Sequence, residues 1–162
     1  MKTQEALSRP PTKRAATSID VVLLFADDRG IRHLCWNGLS SYRLSADPGR
    51  HPSRVVRDAV IDLGLTPRFI HSASWRFEDG AVVLIYAAVV DPPATRTRAM
   101  GDRPVAVGAI AGSAEVLGHT MRHLAWLIRE DPAAKVTLER WYPHVQGYQP
   151  EPLLEPGVES LA

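Results

Sequence analysis

The chain has 162 residues, 45% of them apolar and 23% charged, which suits one globular domain, since single cores run to about 100–200 residues. Its 19 basic and 18 acidic residues leave a formal net charge of +1, so the excess positive charge of a general polyanion binder is missing and there is no strong nucleic-acid signal. The lone Cys35 excludes an internal disulfide framework and a Cys-based zinc site, and no apolar run reaches the ~20 residues of a membrane span.

Residues 1–17 read as a flexible basic tail, with Lys2, Arg9, Lys13 and Arg14 against Glu5 and with Pro10-Pro11 blocking a helix. This start lacks the apolar segment of a secretion signal, so a cytoplasmic location without membrane partners is expected. Ile19 to Phe25 is a β-branched and apolar run too short for a core helix, and predicts a buried strand. Asp27-Asp28-Arg29-Gly30 is turn chemistry. The alternating Ile31 to Trp36 returns as the second arm of a hairpin, and Asn37-Gly38 marks another turn.

Leu44 to His51 reads as irregular. Pro52 then opens an amphipathic helix, because its missing N–H would be unpaired in a first turn anyway. Val55, Val56, Ala59, Val60 and Leu63 form its apolar stripe. Gly64 suits the C-terminal cap, and Pro67 forbids continuation. Arg68 to Phe77 alternates as a strand whose one face would carry Phe69, His71, Ala73, Trp75 and Phe77. Glu78-Asp79-Gly80 turns the chain into Ala81–Val90, an almost wholly apolar and therefore central strand.

Asp91 to Pro104 reads as a loop, and Val105 to Ile110 as a further short strand. Ser113 to Glu130 predicts a helix that buries Val116, Leu117, Met121, Leu124, Leu127 and Ile128. A short continuation begins at Asp131-Pro132. From residue 143 to 162 the chain reads as a Pro-rich acidic tail, which leaves 18–142 as one domain. The element order predicts an α+β fold: a mixed β-sheet with flanking helices, an α/β/α sandwich.

The segment Gly49 to Leu65 resembles the signature of the Nudix hydrolases, which ends in Arg-Glu-apolar-x-Glu-Glu-x-Gly-apolar. Arg57, Asp58, Ala59, Asp62, Gly64 and Leu65 fall on its Arg, first Glu, apolar position, last Glu, Gly and final apolar residue. Gly49-Arg50-His51-Pro52 is similar to the Gly-Glu-x-Pro that enters the helix in many members. The likeness covers about residues 18–130, with the diagnostic residues confined to this helix. Ile61 stands where the family has its middle Glu, and Arg50 where it has the entering Glu. The stretch from Arg50 to Arg57 is one residue shorter than in the family, and no Gly stands where the family's first Gly is expected.

The resemblance implies a Nudix-like sandwich, Mg²⁺ held by carboxylates of the helix, and cleavage of a diphosphate linked to another group. Asp58 and Asp62 are the candidate metal ligands, one turn apart on one face. Arg57 is the candidate that orients them through a bidentate contact. Because Ile61 offers no oxygen and Arg50 brings positive charge, Mg²⁺ binding is expected to be weak or absent. The same two aspartates also suit a plain solvated face, ion-paired with Arg54 and Arg57.

Arg43, Arg50, Arg54 and Arg68, with Arg57, are candidates for a phosphate-binding pocket, since the guanidinium fork matches phosphate. Arg96, Arg98 and Arg103 would close over it. Only Lys2, Lys13 and Lys135 are lysines, so arginine clusters also arise from composition alone. His119 and His123 have zinc-compatible spacing, with His144 as a third ligand only if it folds back. Trp36, Trp75, Trp126 and Trp141 suit core or rim positions, and Cys35 a buried strand.

The expected function is thus a Nudix-like domain with a degenerate catalytic box. It would bind a nucleotide or another phosphate-containing small molecule, with little or no catalysis. An active Mg-dependent hydrolase of a nucleoside diphosphate-linked compound is the first alternative. A homodimeric interaction protein is the second.

Overall fold

The computed structural model describes residues 16–37, 39, 41–94, 100–104 and 113–150. Its spine is β1 (Thr17–Asp27), whose residues Ile19 and Val21 to Phe25 are all buried, because both faces of this strand are covered. An Asx turn, with Arg29 N–H donating to Asp27 Oδ1 at 2.9 Å, leads into β2 (Gly30–Trp36). The two strands pair antiparallel from Leu23↔Leu34 to Asp27↔Gly30. The other half of the same edge, Ser18 to Val21, takes β3 (Tyr42–Ser45). This short strand overlaps the stretch from Leu44 that had read as irregular.

Helix α1 (Pro52–Asp62) starts at Pro52, as its sequence predicts, and packs Val56 and Val60 fully inside. It ends in a Schellman cap: Gly64 N–H donates to Ile61 O at 2.8 Å and Leu65 N–H to Val60 O at 3.2 Å. Gly64 sits at φ +79°, where a side chain is strained. The chain then enters β4 (Pro67–Glu78) and returns in β5 (Ala81–Val90) through Asp79-Gly80. Both turn residues have positive φ, +50° and +75°, so the turn twist matches that of the strands.

The strand order is β4-β5-β1-β2-β6, with β3 attached to β1, and β5 runs parallel to β1. Strand β6 (Met100–Pro104) lies inside the stretch expected to be loop, and pairs with β2. The strand expected over residues 105–110 lies outside the described residues. β5 is interior, between β4 and β1, as its apolar composition requires.

Helices cover both sheet faces. On one, α1 packs over Ile19, Val21, Leu23, Phe25, Tyr86 and Ala88. On the other, α2 (Ser113–Glu130) packs Leu117, Met121, Leu124 and Ile128 over Val22, Leu24, Ile85 and Val89. Asp131 caps α3 (Pro132–Thr137) by accepting from Ala133 N–H at 2.8 Å. A 3-10 turn, Glu139–Trp141, and α4 (Tyr142–Val145) follow. The domain boundary expected at 142 falls inside the packed unit, because Val145 and Tyr148 are buried in the core beneath α2. Their neighbours in sequence are polar, Gly or Pro, which is why composition alone placed them in a tail.

One expectation for β4 fails at a bulge. The register shifts between Ser72↔Tyr86 and Ser74↔Ile85, and the extra residue is Ala73. Phe69 and His71 face α2, opposite Val89 and Ala87, whereas Trp75 and Phe77 lie opposite Leu84 and Val82 and so face the other way. The five alternating residues therefore do not share one face.

Candidate functional site

Helix α1 presents Arg54, Arg57, Asp58, Ile61 and Asp62 to solvent, opposite its buried Val56 and Val60. The approach to the helix is a tight turn. Gly49 N–H donates to Asp47 Oδ1 at 2.9 Å, and Arg50 N–H to Asp47 O at 3.1 Å. His51 then caps the helix through Ser53. This turn aims Arg50 back along the helix, where its guanidinium donates to Asp58 Oδ2.

The candidate metal ligands Asp58 and Asp62 are thus on one exposed strip, but Asp58 already holds a cation. Ile61, 52% exposed, lies on the same strip with no donor atom. Among the described residues no group of three His, Cys, Asp or Glu side chains could hold a metal ion. On α1 the side-chain oxygens at the box-like positions are those of Asp58, paired with Arg50, and of Asp62.

The candidate arginines do not share one place. Arg50, Arg54 and Arg57 belong to α1 and its approach. Arg68 is bound bidentately to Asp91, at 2.7 and 2.6 Å, and fastens the start of β4 to the end of β5. Those hydrogen bonds hold the Asp91 carboxyl below its ordinary range. Arg96 and Arg98 lie outside the described residues. Arg43 is on the opposite sheet face from α1, because its cross-strand partner Asp20 alternates with Ile19 and Val21.

Arg43 instead builds a four-member ion cluster. Its guanidinium donates to Asp20 at 2.7 and 3.0 Å and to Glu78 at 2.7 and 3.0 Å. Arg76 adds bonds to Asp20 at 2.6 Å and to Glu78 at 3.0 and 3.2 Å. Two charges of each sign cancel, and β1, β3 and β4 are tied together. Burial pushes the Asp20 carboxyl up, but the hydrogen bonds from Arg43 and Arg76 outweigh it and hold the group below its usual range. The Arg43 hydrogen bonds, with those of Arg76, draw Glu78 down to about 2. The signal in the sequence was Asp20 itself: a charge inside IDVVLLF must find a partner if that run is a buried strand.

A second polar cluster lies between α2 and β4. His119 Nε2 and His123 Nε2 approach to 2.9 Å. The His71 ring lies 6.2 Å from that of His123, and desolvation pushes its pKa down. His144, the expected third partner, is elsewhere, with its Nδ1 about 4.0 Å from where a side chain on Gly30 would begin. Beside His119 a groove of about 300 Å³ opens, lined by Ser74, Arg76, Ile85, Val116 and Arg122. Trp141 and Cys35 are buried, the thiol lying 3.3 Å from His33 Nε2, and Trp36 packs edge-on to Tyr42.

A mixed six-stranded sheet between two helical layers, with α1 on one face and α2 on the other, is a Nudix-like fold. The solved structures it matches include NrtR from Shewanella oneidensis, with a TM-score of 0.60 at 12% identity over 83% of this chain and 79% of that one. The Ap4A hydrolase of C. elegans matches with a TM-score of 0.42 at 11% identity, over 56% of this chain and 81% of its own. At such identity the likeness to NrtR is one of fold. No family profile and no curated protein sequence matches the chain. Among the described residues no helix is long and apolar enough to cross a membrane.

Proposed function

We propose that this Nudix-like domain carries a degenerate box on α1 and works as a binding module for a nucleotide or another phosphate-containing small molecule. Diphosphate hydrolysis is weak or absent. The observation that supports this is the neutralisation of Asp58 by Arg50 beside the donorless Ile61. Only Asp62 then remains of the three box positions to meet a cation. Arg54 and Arg57, exposed on the same strip, supply forks for phosphate oxygens.

The test is a thermal-shift screen with nucleotides, each with and without Mg²⁺, beside an assay for released phosphate. A ligand at about 100 times its Kd stabilises by about 2.7 kcal/mol, which is about 5–10 °C for a domain of this size. Stabilisation without turnover, insensitive to Mg²⁺ and reduced by Arg57→Ala, is expected. Robust Mg-dependent release that disappears in Asp62→Ala would establish the hydrolase instead.

A homodimeric reading has its own observation. Among the described strands β4 pairs with β5 alone, and its Trp75 and Phe77 are 59% and 68% exposed. An outer strand with apolar side chains is a template for a second copy. Sedimentation velocity over a concentration series, with Trp75→Ser/Phe77→Ser as the control, decides it.

A further inference from the structure

We propose that His119 and His123 form a chelate for a borderline divalent transition ion of the Zn²⁺, Ni²⁺ or Cu²⁺ class, at the groove between α2 and the β4–β5 hairpin. The two residues are four apart on α2, so their rings hang from the same helix face one turn apart. Both present the same nitrogen to the same point, Nε2 to Nε2 at 2.9 Å. A tetrahedral ion with nitrogen ligands at about 2.0–2.1 Å holds them about 3.3 Å apart. Exchanging a shared proton for a metal thus asks a separation of a few tenths of an ångström, within the play of two side-chain torsions.

The surroundings suit an open site and not a closed structural one. Among the described residues no third His, Cys, Asp or Glu completes a metal-holding group. With two imidazole donors, the ion's remaining positions would go to water or an incoming ligand. The room for these is the groove, which reaches His119 and holds about 300 Å³. Arg122 and Ser74 line it, so a carboxylate or phosphate completing the metal's shell meets a guanidinium and a hydroxyl. Imidazole donors select Zn²⁺, Ni²⁺ and Cu²⁺ over Mg²⁺. The site is on the sheet face opposite α1, so its fate is independent of whether the α1 box binds anything.

The experiment uses the full chain without a histidine tag. Zn²⁺ and Ni²⁺ are titrated by calorimetry and thermal shift, and Cu²⁺ by electron paramagnetic resonance. One ion per chain is expected, with Cu²⁺ showing hyperfine structure from imidazole nitrogen and with Mg²⁺ silent. His119→Gln, at the groove wall, weakens binding about 100-fold, the loss that unlinking two donors brings. His123→Gln does the same, with circular dichroism reporting that the variant is folded. His144→Gln and His51→Gln leave the affinity unchanged. Failure of the wild-type chain to bind any of the three ions would overturn the proposal. So would binding that survives both chelate substitutions, or that follows His144 or His51 instead.

Discussion

Ile61 is half exposed on the solvent strip of α1, so its identity matters to ligands far more than to folding. Ile61→Glu is expected to change stability by no more than about 0.5 kcal/mol. Combined with Arg50→Gln, which releases Asp58, it rebuilds three adjacent oxygen donors at 58, 61 and 62. The double variant should acquire a Mg²⁺-dependent rise in melting temperature that the parent lacks. Absence of that rise would mean that the helix, not its side chains, is wrongly placed for a cation. Gly64 is the opposite case, since its role is conformational. A side chain there meets nothing within 4 Å, so Gly64→Ala costs only the left-handed backbone, about 1–2 kcal/mol. Urea denaturation should show a lower midpoint at constant slope.

Among the elements, β1, β3 and β4 are bound by the cluster of Asp20, Arg43, Arg76 and Glu78, and this makes acid stability predictable in sign. Glu78 titrates at about 2 in the folded chain against an ordinary 4.5, and Asp20 is lowered in the same direction. A folded pKa below the unfolded one means that the unfolded chain takes up protons first. The contribution is therefore complete above about pH 4.5 and is lost as pH falls towards about 2. Melting temperatures across that window should fall, and Arg43→Ala should flatten the slope. At neutral pH, Arg76→Ala should cost about 1–3 kcal/mol, because the buried Asp20 loses a charged donor.

The same elements show what the sequence could and could not carry. α1 was legible because an apolar stripe, Pro52 and Gly64 all point to one helix with two marked ends. β4 was legible as a strand but not in its facing, since the bulge at Ala73 depends on pairing with β5 and leaves no local mark. Strand β6 was hidden because Met100 to Pro104 has weak strand character, and only the exposed side of β2 recruits it. On α1 the candidate residues were readable from position alone. The link from Arg50 to Asp58 was not, because it depends on how the turn at Asp47 aims a long side chain.

At the scale of the whole molecule, the sheet lies between two apolar clusters of described residues, one under α1 and one under α2. Met121→Ala, under α2, should cost about 2–5 kcal/mol, and Val60→Ala, under α1, a smaller amount of the same origin. Both positions are fully buried, and no side chain of one core lies in the other. Their effects should add within about 0.5 kcal/mol. A larger coupling, measured by the double-mutant cycle, would reveal that strain crosses the sheet. Unfolding should nonetheless be a single transition, since β1 lends buried residues to both layers.

The parallel pairing of β1 with β5 also sets a timetable. The β1–β2 and β4–β5 hairpins close through two-residue turns, and such local ladders form in about microseconds. Thr17 must then find Val82, a search that waits on α1 and the intervening chain. Joining the two hairpins side by side is therefore the slow event of folding, and the β1 amides that bond across to β5 should gain protection from exchange with solvent after those that bond to β2.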